Sequence, residues 1–138
     1  MKKLYIIDPF SRTPVYEQIV RQTERFIAMG VMKPSEPVSS VRTLASVLAI
    51  NPNTIVKSYT ELTARGILCA VPGKGYFVAP DAISILAKRE AEKLDDLYRL
   101  TEQIALAGVD KNDIRKTVEH AISAALQQRG FDEEEEMK

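Results

Sequence analysis

The chain has one cysteine, no tryptophan and a single histidine among 138 residues, and its 19 Lys and Arg are matched by 19 Asp and Glu. The lone Cys69 excludes an internal disulfide framework. His120 lies far downstream of it, so no Cys/His cluster of metal-ligand spacing exists, and neither metal nor cofactor is expected. No run approaches the roughly 20 apolar residues of a membrane span. The apolar start Leu4-Tyr5-Ile6-Ile7 stops at Asp8, short of a signal peptide's core, which leads to the expectation of a soluble, cytoplasmic protein without a membrane partner. No Ser/His/Asp or Cys/His arrangement appears, and Gly73-Lys74-Gly75 lacks the length and sequence of a phosphate-binding loop, so an enzyme is not expected. At 45% hydrophobic and 28% charged, the chain has a globular composition, sufficient to bury one modest core or two small ones.

The zero net charge conceals a division. Residues 1–80 hold ten Lys/Arg and five Asp/Glu (+5), whereas residues 81–138 hold nine and fourteen (−5). A basic part suggests an anionic partner. The acidic excess comes almost entirely from Asp132 and the run Glu133 to Glu136, and residues 131–138 are expected to form a solvated, disordered tail.

Along the chain, Thr13-Pro14 reads as a helix start, with Thr capping and Pro at the first helical position, and Gly30 as its stop. Between them Tyr16, Ile19, Val20, Thr23, Phe26 and Ile27 form one apolar stripe at helical spacing. Ser40 caps a short helix in which Val41, Leu44, Ala45 and Leu48 fall at i, i+3, i+4 and i+7. Asn51-Pro52 starts the next helix, which turns Ile55, Tyr59 and Leu62 to one face and ends at Gly66. Two helices with so short a connector are a helix-turn-helix candidate. The β-prone runs Ile67 to Val71 and Tyr76 to Val78 flank Pro72-Gly73-Lys74-Gly75, the pattern of a two-stranded hairpin whose tip presents Lys74.

Ala79-Pro80-Asp81 reads as a linker, so residues 1–80 are expected to form one domain, built around that helix-turn-helix and hairpin, and residues 81–130 a second. From Ile83 to Leu106 there is no Gly or Pro, and one continuous helix is expected. Leu94, Leu97, Thr101 and Ile104 follow a 3-4-3 spacing that resembles a coiled-coil seam, widened by Leu86 and Tyr98. Gly108 stops it, Asp110 with Asp113 approximates a capping box, and Ile114, Val118 and Ile122 mark a final helix to about Arg129. The result is an antiparallel helical hairpin. Roughly fifty residues in two helices recover too little surface to offset their conformational entropy, which points to a homodimer with Leu86, Leu94, Leu97, Tyr98, Ile104, Ile114, Val118 and Ile122 at the subunit interface, the alternative being a hairpin folded back on its own N-terminal domain.

The order helix, helix, helix, two-stranded hairpin is that of a winged helix-turn-helix, in a mainly α fold with a small β wing, and such a domain lays its recognition helix in the DNA major groove. On that helix, Asn53 to Arg65, the early outward positions are taken as Asn53, Thr54, Lys57 and Ser58. Ser39, Ser40 and Arg42 sit at the start of the preceding helix, where a guanidinium grips a phosphate or reaches a base edge. Gly73, Lys74 and Gly75 at the hairpin tip complete the candidate DNA-binding set.

The run from Pro14-Val15-Tyr16-Glu17-Gln18-Ile19 through Gly73-Lys74-Gly75-Tyr76-Phe77-Val78 resembles the DNA-binding domain of GntR-family transcriptional regulators. Its most specific pieces are Val38-Ser39-Ser40-Val41-Arg42-Thr43-Leu44-Ala45 and Asn51-Pro52-Asn53-Thr54-Ile55, with Lys57 and Tyr59. The opening Ile6-Ile7-Asp8-Pro9 and the short helical C-terminal part resemble the YtrA-type branch, whose second domain mainly dimerises. The resemblance implies a homodimer on a two-fold related double-stranded DNA operator. Arg42, Asn53, Thr54 and Lys57 match the family's contact positions, and Gly73 and Lys74 match its wing tip. It further implies control of a nearby operon, often of transport genes in this branch; a repressor is expected, with activation left open. Ser39 stands where many members have Pro, and Ser35 where many have Gly. A small-molecule effector, of no identity legible in sequence, is left open. The other reading is a protein-interaction module on a winged-helix scaffold, which steep salt dependence of binding would separate from DNA recognition.

Overall fold

A computed structural model describes residues 4–136 of the chain, with side chains to residue 129. It divides into two compact units, residues 1–86 and 87–138.

In the first unit, α1 (Val15–Ala28) buries Ile19, Val20, Thr23 and Ile27 of the stripe its sequence spacing predicts, leaves Tyr16 and Phe26 half-buried, and also buries Glu24. Its start differs in detail. Pro14 occupies the N-cap without a side-chain cap, and the Thr13 carbonyl accepts from the Gln18 side-chain amide at 2.8 Å. Gly30 takes the left-handed conformation (φ 84°), letting Val31 N–H return to the Phe26 carbonyl at 2.8 Å and close the helix.

Ser40 caps α2 (Val41–Leu48) by accepting from Thr43 N–H at 3.1 Å, and Asn51 caps α3 (Pro52–Ala64) by accepting from Asn53 N–H at 2.8 Å. Pro52 costs α3 nothing, because the amide it lacks has no intrahelical partner at that position. Strands β1 (Leu68–Val71) and β2 (Gly75–Val78) pair antiparallel, with Leu68 opposite Val78 and Val71 opposite Gly75. The loop before α2 adds a ragged third partner to β2: Val38 N–H donates to the Tyr76 carbonyl at 3.0 Å, and Val78 N–H to the Glu36 carbonyl at 2.9 Å.

Ile19, Ile27, Ile55, Tyr59, Leu62, Ile67, Leu68 and Val78 form the fully buried centre, each aliphatic chain contributing roughly 1.5–3 kcal/mol by leaving water. The segment before α1 is extended and held from outside this core. Ile6 exchanges two hydrogen bonds with the Gln22 side chain (2.8 and 2.7 Å), and Asp8 exchanges two with Gln18 (2.9 and 2.8 Å). Four residues of helix advance about 6 Å and two residues of extended chain slightly more, so glutamines at i and i+4 match alternate residues of the segment. Tyr5 turns inward, buried against Phe26 with ring centroids 5.1 Å apart.

Helix α4 (Ala82–Ala91) begins in the first unit. Ala82 and Leu86 lie one turn apart and are both buried in its core, and Ile85 is in contact range of Gly66. The boundary expected after residue 80 therefore moves to 86, because that apolar turn completes the winged helix's core. Leu86 is only 5% exposed there, which removes it from the expected subunit interface.

The single helix expected through Leu106 is broken. After α4, Glu92 and Lys93 donate to the carbonyls of Arg89 and Glu90, three residues back rather than four, and the tightened turn carries a Glu90–Lys93 ion pair. No Gly or Pro marks this break.

In the second unit, α5 (Leu94–Leu106) ends at Gly108 (φ 96°), and Asp110 accepts from Asn112 N–H at 2.7 Å at the start of α6 (Lys111–Glu136). Helix α6 takes in residues 131–136, which the sequence reading places in a disordered tail. Glutamate is a good helix former, and no proline interrupts the run. Residues 137–138 of that expected tail lie outside the described residues. Not one residue of α5 is buried.

Candidate nucleic-acid interface

Helix α3 shows which of its residues face outward. Asn53, Val56, Lys57 and Thr60 are exposed, at i, i+3, i+4 and i+7, opposite Ile55, Tyr59 and Leu62. Thr54 is half-buried. Ser58, expected on the outer face, is fully buried: its hydroxyl lies 3.1 Å from the Tyr16 carbonyl and 2.9 Å from the Thr54 carbonyl. The signal was in the sequence, since Ser58 falls three residues after Ile55 and four before Leu62, on the inward stripe. Its small side chain allows α1 to lie close.

Lys57 projects over the Tyr16 ring, with Nζ 3.9 Å from the centroid, a cation–π placement that restrains a long side chain without neutralising it. Arg42 is exposed in the first turn of α2. Ser40 beside it is exposed, but its side chain is engaged in the cap, its hydroxyl lying 2.8 Å from that of Thr43. Ser39 is half-buried and its carbonyl accepts from the Tyr59 hydroxyl at 2.7 Å.

Tyr59 is thus a hub. From the inner face of α3 it holds the loop that leads into α2, and its ring meets that of Tyr76 on β2 edge-on, with centroids 5.0 Å apart. Burial pushes its phenol far above the usual range, reinforced by Tyr5 and Tyr76, so the hydroxyl stays a donor.

At the wing, Lys74 N–H donates to the Val71 carbonyl at 3.0 Å around Pro72-Gly73, the residue order of a type II turn. Gly73 (φ 76°) and Gly75 (φ 105°) both have positive φ, and nothing lies within 4 Å of where a Cβ would be at either, so backbone conformation rather than space calls for glycine there. Lys74 is exposed between them.

Among the described residues, Arg42, Lys57 and Lys74 form no ion pair with a carboxylate, which leaves three cations of this unit available to an outside anion. Arg65 behaves differently. Its Nη1 lies 2.8 Å from Glu24, which is 7% exposed, and its Nε lies 3.0 Å from Glu61. Desolvation works against its charge, but hydrogen bonds and attraction from Glu61 and Glu24 outweigh it and hold the guanidinium's pKa above its ordinary value. It ties the end of α3 to α1.

In the second unit, Leu97, Ile104, Ile114 and Val118 line an apolar groove of about 230 Å³ between α5 and α6. Leu94, Tyr98 and Ile122 are exposed outside that lining, at 61%, 69% and 49%. Cys69 is half-buried in β1 and His120 exposed on α6, and among the described residues no three His, Cys, Asp or Glu are grouped to hold a metal ion. Among the same residues, no helix is long and apolar enough to cross a membrane.

Residues 15–78 match the family model of bacterial regulatory proteins of the gntR family. The chain is 34% identical over 113 residues to the HTH-type transcriptional repressor YtrA of Bacillus subtilis (strain 168), covering 81% of this chain and 87% of that protein. A transcriptional regulator from Oenococcus oeni has a similar structure, with a TM-score of 0.67 at 30% identity over 84% of this chain and 97% of its own. YtrA from Sulfolobus acidocaldarius, a GntR-family transcription factor, matches with a TM-score of 0.56 at 31% identity over 77% of this chain and all of its own. With the winged helix, its exposed α3 face and these relatives agreeing, the chain belongs to the GntR family of DNA-binding transcriptional regulators, in the YtrA-type branch.

Proposed function

We propose that the protein is a homodimeric repressor that binds a two-fold related operator upstream of a nearby operon. The observation that carries the reading is the outward face of α3, where Asn53 and Lys57 stand exposed, with the unpaired guanidinium of Arg42 in the first turn of α2. In this reading Arg42 and Lys74 meet phosphates or base edges, Asn53 and Thr54 stand at the N-terminal turn that enters the major groove, and Lys57 is pre-positioned by Tyr16. Ser39 and Ser40 act through the backbone and cap that set α2, and Ser58 is structural. Repression follows the name of the Bacillus relative.

The second unit supplies the subunit interface. Its exposed Leu94, Leu97, Tyr98, Leu100 and Ile122 form an apolar surface too large for two helices to keep in water, and a second copy of the hairpin covers it with the same residues. We assign the groove to the partner subunit rather than to an effector. Asp113 is the one charged group in its lining, and the hydroxyls of Thr101 and Thr117 are spent on the carbonyls of Leu97 and Asp113 at 2.7 and 2.8 Å.

The test is binding of the purified protein to its own upstream DNA and to a scrambled duplex across a salt series. Preference for the upstream DNA at two chains per site, weakening steeply with salt through counterion release, is the expected result. Affinity for neither duplex at low salt overturns the operator reading.

A further inference from the structure

On the outward face of α3, one residue does not belong with its neighbours. Val56 is 43% exposed between Asn53, Lys57 and Thr60, on a helix whose other large apolar residues, Ile55, Tyr59 and Leu62, point inward. A β-branched side chain loses rotamer freedom in a helix, so an exposed Val is a poorer choice there than Ala, Lys or Gln, and it packs into no core of this unit. The same stiffness fixes its two methyl groups, because valine in a helix keeps essentially one rotamer. The position therefore presents a rigid apolar knob one turn beyond Asn53, within the stretch that would enter the major groove.

The major groove offers such a knob one matching surface. Three of the four bases present only hydrogen-bonding edges there, whereas thymine adds its C5-methyl group. We propose that Val56 is a specificity-determining residue that reads a thymine in each half-site by methyl contact, a statement that rests on the operator reading above. Lys57 next to it is held over the Tyr16 ring, and a lysine that meets a phosphate positions a protein without reading sequence, so in this reading the two adjacent residues divide positioning from reading.

The experiment uses the full chain and its upstream duplex, in which thymines are replaced one at a time by deoxyuridine, which removes the methyl group and keeps the base pair. Replacement of the contacted thymine in one half-site is expected to weaken binding about fourfold, the effect of losing one buried methyl group, and replacement in both half-sites about fifteenfold. Val56→Ala, at an exposed position that leaves folding intact, is expected to discriminate the thymine from the deoxyuridine duplex less than wild type, because its shorter side chain draws the methyl surface back from the groove. A duplex fully substituted with deoxyuridine that binds the wild-type protein undiminished overturns the proposal, as does a Val56→Ala variant that keeps the wild-type sensitivity at the same thymine. Absence of salt-sensitive binding to the unsubstituted duplex is a separate result, which removes the operator reading and the proposal together.

Discussion

The hydroxyl of Ser58 in α3 lies 3.1 Å from the backbone carbonyl of Tyr16 in α1, with the serine wholly buried between the two helices. The inner face of α3 is thereby seated at short range on α1, and the outer face, one residue away at Lys57, meets the Tyr16 side chain. Replacing Ser58 by Leu should destabilise the protein by about 1–3 kcal/mol through overpacking, and Ser58→Ala by about 0.5–1.5 kcal/mol. Urea denaturation measures both. Operator affinity per folded Ser58→Ala molecule should be unchanged; a selective loss of affinity would return Ser58 to the contact surface.

Arg42 separates the two kinds of residue from the other side. Arg42 is exposed and has no carboxylate partner among the described residues, so Arg42→Ala should leave unfolding free energy within about 0.5 kcal/mol of wild type. Binding to upstream DNA should weaken by about 1–3 kcal/mol if its guanidinium reads a base edge. Equal affinities in a titration of both proteins would remove Arg42 from the interface.

Tyr5 makes the fold sensitive to alkali. The Thr23 hydroxyl donates to the Ile19 carbonyl at 2.7 Å, so the phenol, 2.7 Å from Thr23 Oγ1, must be the donor in their bond. Burial raises its pKa to about 12. A raised value means the native state holds the proton more tightly than the unfolded chain. The contribution, on the order of 2 kcal/mol, is therefore complete below about pH 10 and is lost as pH rises toward 12. Tyr59, raised in the same direction, adds to the loss. Denaturation curves at increasing alkaline pH should show stability falling over this window, with a shallower fall in Tyr5→Phe.

Ser35 is a point of strain. It holds φ 67° in the loop that pairs with β2, donating to the Val78 carbonyl at 2.9 Å, in a region where a side chain costs about 1–2 kcal/mol. Ser35→Gly should raise stability by about 0.5–1 kcal/mol after glycine's greater freedom in the unfolded chain is discounted. A thermal midpoint below wild type would show that the serine is favoured there.

Leu94 and Leu97 are 61% and 43% exposed in the single chain, so charges placed there should not unfold the hairpin. Replacing both by Asp should yield a monomer in sedimentation and weaken operator binding strongly, because each subunit loses the other's half-site contacts. A variant that remains dimeric would place the interface elsewhere.

Much of the fold is legible in local chemistry. Ser40, Asn51-Pro52, Gly30 and Gly66 mark helix ends through bonds to their own neighbours, and the stripes of α1, α2 and α3 follow from period alone. Pro72-Gly73-Lys74-Gly75 specifies its turn for the same reason: the conformations it needs belong to residues within the turn.

Other features depended on partners distant in sequence. That Gln18 and Gln22 grip Ile6 and Asp8, that Leu86 completes the winged helix's core rather than a subunit contact, and that Tyr59 links the Ser39 loop to Tyr76 all depend on surfaces brought together by folding. A local pattern records which face of a helix is apolar. It does not record what that face meets. The sequence by itself determined the order of elements, their caps and the family, because these rest on short-range bonds and residue types. Only the tertiary structure decided that Ser58 is inside and Val56 outside on α3, where the unit boundary falls, and which cations are left without a partner, because burial and pairing are set by long-range packing.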